Sequence, residues 1–254
     1  MKKMKILMSV FLFFIFATGI TFSQDMKPEA GKLYNEGNKM LKAGNYDGAL
    51  KQYNQALSIE KDYRTYYQRG IALKGLGNLE DARSSFDSCI SMKPKFEGGY
   101  NALGGIYFSL GKYDMAVTNF EKVLDITKNN SIKDKVKKNL ALAYTKLGNN
   151  AEADGKSKQA VEYLTKAVGY SNYDAAYLSL AKLYTEIGEW DNAITSGEKA
   201  LKYRSSIGKG GPYYYMGVAY KGKNELAKAK NMFSEAKSDP TYKKSAEYEL
   251  GSLK

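Results

Sequence analysis

Histidine is absent from this chain. That removes the side chain whose charge changes near neutral pH, and with it His-based triads and His-ligated zinc. Cysteine occurs once, at Cys89, so no intramolecular disulfide can form. Without a histidine to activate it, Cys89 reads as a small buried apolar residue. Proline is scarce, with four residues, and β-branched runs are few. The abundance of Lys, Ala, Leu and Tyr leans towards helix, and the 24 glycines act as punctuation.

Arginine is scarce as well. Of 39 basic residues only Arg64, Arg69, Arg83 and Arg204 carry the planar guanidinium fork suited to phosphate and guanine. The formal net charge of +12 therefore reads as a lysine-coated surface rather than a nucleic-acid interface. No pair of carboxylates or lysines recurs at a spacing that singles out a catalytic centre. The expectation is a protein that is not an enzyme and needs no cofactor or metal.

Only one long apolar run exists, from Ile6 to about Ala17. Lys2, Lys3 and Lys5 precede it, and the small residues Thr21 and Ser23 follow. This is the three-part layout of a secretory signal peptide over residues 1–23, with cleavage before Gln24. The run is shorter than the roughly 20 residues that span a bilayer, the alternative being an uncleaved anchor that extends to Phe22. The reading implies export to a bacterial periplasm or beyond. Removing those three lysines leaves 36 basic residues against 27 acidic ones, a net of +9. An exported basic chain meets anionic envelope polymers and lipid headgroups, so weak contact with such a surface is a second expectation.

What the chain has in abundance is repetition. "GNYDGALKQYNQAL" begins at 44, and "GNLEDARSSFDSCI", "GKYDMAVTNFEKVL", "GKSKQAVEYLTKAV" and "GEWDNAITSGEKAL" follow at 77, 111, 155 and 188. A weaker copy, "NELAKAKNMFSEAK", begins at 224. The alanine in the sixth place of each copy is Ala49, Ala82, Ala116, Ala160, Ala193 or Ala229, at spacings of 33, 34, 44, 33 and 36. Four residues on comes Tyr53, Phe86, Phe120, Leu164, Gly197 or Phe233. Three further lies Ala56, Cys89, Val123, Ala167, Ala200 or Ala236. Offsets of four and three share one helix face, so each copy predicts a helix with a small–bulky–small stripe. A partner helix precedes each one, as in "YYQRGIALKGLG" from 66, and a glycine closes most of these partners. Gly197 breaks the bulky position, and thinner packing is expected there.

These features resemble the tetratricopeptide repeat, a 34-residue helix–turn–helix unit. The resemblance covers Ala30 to Leu253 and implies an all-α, right-handed solenoid of six units. The repeats run 30–62, 63–96, 97–130, 141–173, 174–207 and 210–243, within a solenoid of 24–254. The long interval adds a helix extension over 131–140. "TYKKSAEYELGSLK" supplies a capping helix over 241–254, through Tyr242, Ala246, Leu250 and Leu253. One pair cannot bury its apolar face alone, whereas stacked pairs share a core.

Two departures stand out. Two repeat frames overlap across the long interval, seven residues apart, which predicts one long helix from about Ile132 to Asp154. Its first turns, with Lys133, Lys135, Lys137 and Lys138, are expected to project beyond the stack, as a solvated extension or as a partner surface. "YRSSIGKGGPYYYMG" (203–217) reads as a loosened joint, since its "GKGG" lacks the spacing of a phosphate loop.

The resemblance also implies a concave groove lined by the first helices, which in this family receives protein or peptide partners. Its positions fall on Tyr34, Asn38, Tyr67, Asn101, Phe108, Thr145, Asn149, Lys182, Tyr214 and Lys221. Such a surface suits an extended peptide held by amides and tyrosine rings. One subset of the family clamps a C-terminal carboxylate with lysine, asparagine and arginine. Here Tyr34, Gln68, Gly98 and Ala102 occupy four of those places, so that clamp is not expected.

Overall fold

The computed structural model describes residues 26–253. The expected signal peptide, residues 1–23, and its cleavage point lie outside the described residues.

Among the described residues there are thirteen helices and no strand. Six hairpins follow one another. They are α1 (Pro28–Lys42) with α2 (Tyr46–Ile59), α3 (Tyr63–Gly75) with α4 (Leu79–Met92), and α5 (Glu97–Ser109) with α6 (Tyr113–Ile126). Then come α7 (Asn130–Ala153) with α8 (Ser157–Tyr170), α9 (Asp174–Glu186) with α10 (Trp190–Lys202), and α11 (Gly210–Gly222) with α12 (Leu226–Ala236). A last helix, α13 (Lys243–Ser252), packs Ala246, Leu250 and Leu253 onto the Phe233 end of the stack.

The turns explain why the first helix of each hairpin stops. Gly77 takes φ +80°, and its amide and that of Asn78 reach back to the carbonyls of Lys74 and Leu73 at 3.0 and 2.9 Å. This satisfies carbonyls that a helix end leaves free. Four other turns use glycine in the same way, and the sixth uses Asn224 at φ 61°. Asparagine is the residue besides glycine that enters this region most readily.

The stripe residues form the core. All six repeat alanines are 0% exposed. So are Tyr53, Phe86, Leu164 and Phe233. Each bulky side chain drives into a glycine on the helix before it. A Cβ added at Gly70 would sit 2.5 Å from the Phe86 ring, and one at Gly104 would sit 2.5 Å from Phe120. Only a bare backbone permits that approach.

The fifth hairpin corrects the expectation of thin packing. Met216 of α11, itself 4% exposed, lies over Gly197, where a Cβ would fall within its side chain. The missing ring is supplied from the following hairpin by a flexible thioether.

The loop between α10 and α11 is not a loosened joint either. Asp174, 0% exposed at the start of α9, receives the backbone amides of Ser205 and Ser206 at 2.6 Å each and of Ile207 at 3.2 Å. The Ser206 hydroxyl donates to its other oxygen at 2.8 Å. On the far side, the Gly210 amide donates to Asp239 at 3.2 Å. A buried carboxylate thus ties the loop to one hairpin and a second carboxylate ties it to the last one.

The long helix exists as two overlapping frames predict, and starts two residues earlier than expected. Asn129 caps it, accepting the amides of Ser131 and Ile132 at 2.9 and 3.2 Å. Its first turns do not simply project into solvent. Val136 is 1% exposed and belongs to the main core, while Lys135, Lys137 and Lys138 face outward.

Candidate functional site: the face of the first helices

The odd-numbered helices form an inner layer. Neighbours α1 and α3, α3 and α5, α7 and α9, and α9 and α11 touch, though less than the two helices within a hairpin. Between α5 and α7 a cleft of about 600 Å³ opens. Phe96 and Glu97 stand at its α5 end, Ile132 and Val136 form the α7 wall, and Lys135 and Lys138 stand on the rim. Asn101 and Asn139 line it, and Asn139 also lines a second cavity of about 170 Å³ with Phe108, Phe120 and Leu142. The roughly three extra turns of α7 form this wall, with Val136 in the core and Ile132 packed against it.

Half of the sequence-predicted residues sit in the first three hairpins. Tyr34 is half-buried with its ring 6.2 Å from that of Tyr53. Asn38 accepts the Tyr53 hydroxyl at 2.8 Å, so its amide is partly committed to the scaffold. Tyr67 is wedged edge-on against Phe96, with centroids 5.1 Å apart, and burial pushes its hydroxyl pKa up. Asn101 is exposed and lines the large cleft, while Phe108 packs edge-on against Tyr113 at 5.2 Å and lines the small one.

The later residues are more occupied. Thr145 departs from the expectation of a groove contact. It is 5% exposed, and its hydroxyl donates to the Ala141 carbonyl at 2.6 Å, one turn back. Lys182 is bound to Glu152 at 2.6 Å, and that hydrogen bond holds its pKa above the usual lysine value. Asn149 is exposed and accepts the Ser179 hydroxyl at 3.1 Å. Tyr214 and Lys221 meet the last helix. Tyr214 lies 5.5 Å from the Tyr242 ring, and Lys221 donates to Glu249 at 2.6 Å. The structure therefore groups Tyr67, Asn101 and Phe108 around the α5–α7 cleft and leaves the other seven apart from it.

Sequence reasoning missed Phe96, Ile132 and Asn139. Phe96 precedes its helix, and the other two belong to the extension rather than to a repeat. The signal that could have found them is the ten-residue excess of that interval, since an insertion into a stack must displace a neighbour.

Electrostatically, the α7 extension is the notable region. Lys128, Lys133, Lys135, Lys137 and Lys138 take part in no ion pair among the described residues. Elsewhere burial pushes the Cys89 thiol up to about 12, which suits a core residue and not a nucleophile. Among the described residues no cluster of three carboxylates or cysteines could hold a metal, and no helix is long and apolar enough to cross a membrane.

Comparison with known proteins agrees with this geometry. Sequence profiles of the tetratricopeptide repeat match residues 30–63, 63–96, 98–172 and 145–209. The Hsp70-Hsp90 organizing protein of Triticum aestivum is 31% identical over 96 residues, covering 37% of this chain and 16% of its own. TPR repeat-containing protein MJ1428 of Methanocaldococcus jannaschii is 26% identical over 237 residues, covering 83% of this chain and 39% of its own. The matches thus span less than half the length of these relatives. Among solved structures, YrrB, described as a TPR protein with an unusual peptide-binding site, superposes with a TM-score of 0.52. It is 22% identical and covers 77% of this chain and 96% of its own. With profile matches running from residue 30 to residue 209 and the hairpins arranged as described, the chain belongs to the tetratricopeptide-repeat family.

Proposed function

We propose that this protein is an exported, non-enzymatic scaffold that holds a segment of a protein partner against the exposed face of its first helices. Members of the family bind protein or peptide partners, and the wheat relative is named for organising two heat-shock proteins. The observation that carries the reading is the α5–α7 cleft. It is an open space on the family's partner-facing layer, with exposed Asn101 beside apolar walls. The positions of Tyr34, Gln68, Gly98 and Ala102 argue against a terminal carboxylate as the recognised group. The partner is a segment within a chain, not a nucleic acid.

Site-specific photo-crosslinking tests this. A crosslinker at Asn101 should capture a protein from cell extract, and one at Lys122, on the outer helix α6, should not. Capture from Lys122 alone would defeat the proposal. Export rests on the lysine-led apolar run before residue 24. A cell producing the chain with a C-terminal tag should yield a product beginning at Gln24 outside the cytoplasm. A full-length cytoplasmic product would remove the envelope assembly from the proposal.

A second reading, a cationic surface for anionic polymer or lipid headgroups, is favoured by the unpaired lysines of the α7 extension. Salt separates the two. Binding spread over the five lysines should fall steeply between 50 and 200 mM salt, on the order of a hundredfold, whereas a cleft that adds only Lys135 and Lys138 to apolar and amide groups should weaken by only about several-fold.

A further inference from the structure

The open joint says more about the partner than its place on the molecule. The gap lies between α5 and the added first turns of the long α7. Its walls are apolar, through Phe96, Ile132 and Val136. Its two cavities meet at Asn139 and run along α5 from Glu97 to Phe108. At 1.5 Å per helical residue that stretch is roughly 16 Å, the length of about five extended residues. The rim is basic. Lys135 and Lys138 line the opening with no ion-pair partner among the described residues, and Lys133 and Lys137 lie on the same turns. Glu97 and Asp134 are the nearby carboxylates by position, so positive charge prevails. Asn101 and Asn139 place amide groups between the walls, able to pair with a passing backbone.

We infer that the α5–α7 cleft receives a short acidic segment of a partner protein, seated by one or two apolar side chains between Phe96 and Ile132 and by carboxylates at Lys135 and Lys138. This rests on the proposed function and narrows it to one site and one chemistry. Charge complementarity selects the occupant. A basic segment would meet Lys135 and Lys138, and a purely apolar one would leave their charge and both amides unused. An anionic polymer would use the lysines and leave the apolar walls empty.

The test uses the purified chain and a displayed library of random 12-residue peptides. Selection should return sequences enriched in Asp and Glu together with Leu, Ile or Phe. Fluorescence anisotropy with the selected peptides should show at least a tenfold loss of affinity in Lys135→Glu/Lys138→Glu. Asn101→Trp, which places an indole in the opening, should lose binding to a similar degree. Both changes are at exposed positions, and unchanged thermal melts would exclude misfolding as the cause. Replacing the apolar residues of a selected peptide by Ser should also abolish binding. A library that returns nothing, or sequences without acidic enrichment, overturns the inference. So does equal binding by polyglutamate or by vesicles containing anionic lipid, which would leave a lysine patch alone. If these results fail while the crosslinker at Asn101 still captures a protein, the chemistry assigned to the cleft is wrong and the scaffold reading stands. If the crosslinker fails too, both fall.

Discussion

Two adjacent glycines in α5 show how finely single positions are specified. A Cβ at Gly104 would meet the Phe120 ring at 2.5 Å, whereas one at Gly105 would meet nothing within 4 Å. Gly104→Ala should therefore destabilise by about 1–3 kcal/mol through overpacking. Gly105→Ala should stabilise by up to about 1 kcal/mol, because alanine is the better helix former. Urea denaturation of the two variants checks the opposite signs. Asp174 supplies a second residue-scale outcome. Burial by itself would raise its pKa, but the hydrogen bonds from Ser206, Ser205 and Ile207 outweigh that and hold it at about 2. A carboxyl whose folded pKa is depressed contributes stability above its unfolded value and loses it as pH falls towards the folded one. About 2 kcal/mol should thus disappear between roughly pH 4 and pH 2. Asp174→Asn should flatten that part of a stability–pH profile. The repeat alanines were legible in the sequence because offsets of four and three within one helix are local. The Met216–Gly197 contact was not, since it joins different hairpins and no spacing rule links them. Thr145 misled for another reason: its position faces the groove in the family pattern, but its hydroxyl is consumed by the carbonyl one turn back.

Helix α7 shows what an element can and cannot announce. Its length was readable because two frames seven residues apart share a face. Its early start was not, because it is set by the Asn129 side chain outside the repeat pattern. Asn129→Ala should cost about 1 kcal/mol. The loss should be local, with faster amide exchange over Ser131–Lys135 and little change in α9 to α12. Protection falling evenly over all helices would contradict a capped, separately initiated extension. The loop after α10 was misread for a comparable reason. Glycine and serine suggest slack in a sequence, whereas here their bare amides serve as donors to Asp174, a residue some thirty positions earlier. A composition rule sees the donors and misses the acceptor.

Across the whole molecule, stacking was legible from the period and the open α5–α7 joint was not. A period fixes which helices are neighbours; the distance between them depends on where inserted turns find a core to pack on. Neighbour-only packing has a further consequence, through the single tryptophan. Trp190 lies over Gly222, where a Cβ would sit 2.6 Å from the indole, so it belongs to the seam between the last two hairpins. Its emission is a local thermometer in a chain whose helicity is spread over every hairpin. In a molecule whose units contact mainly their neighbours, the two signals need not fade together. We expect the indole emission to change at a lower temperature than the circular dichroism at 222 nm if the C-terminal end frays first. Coincident curves would mean that the rod melts as one piece.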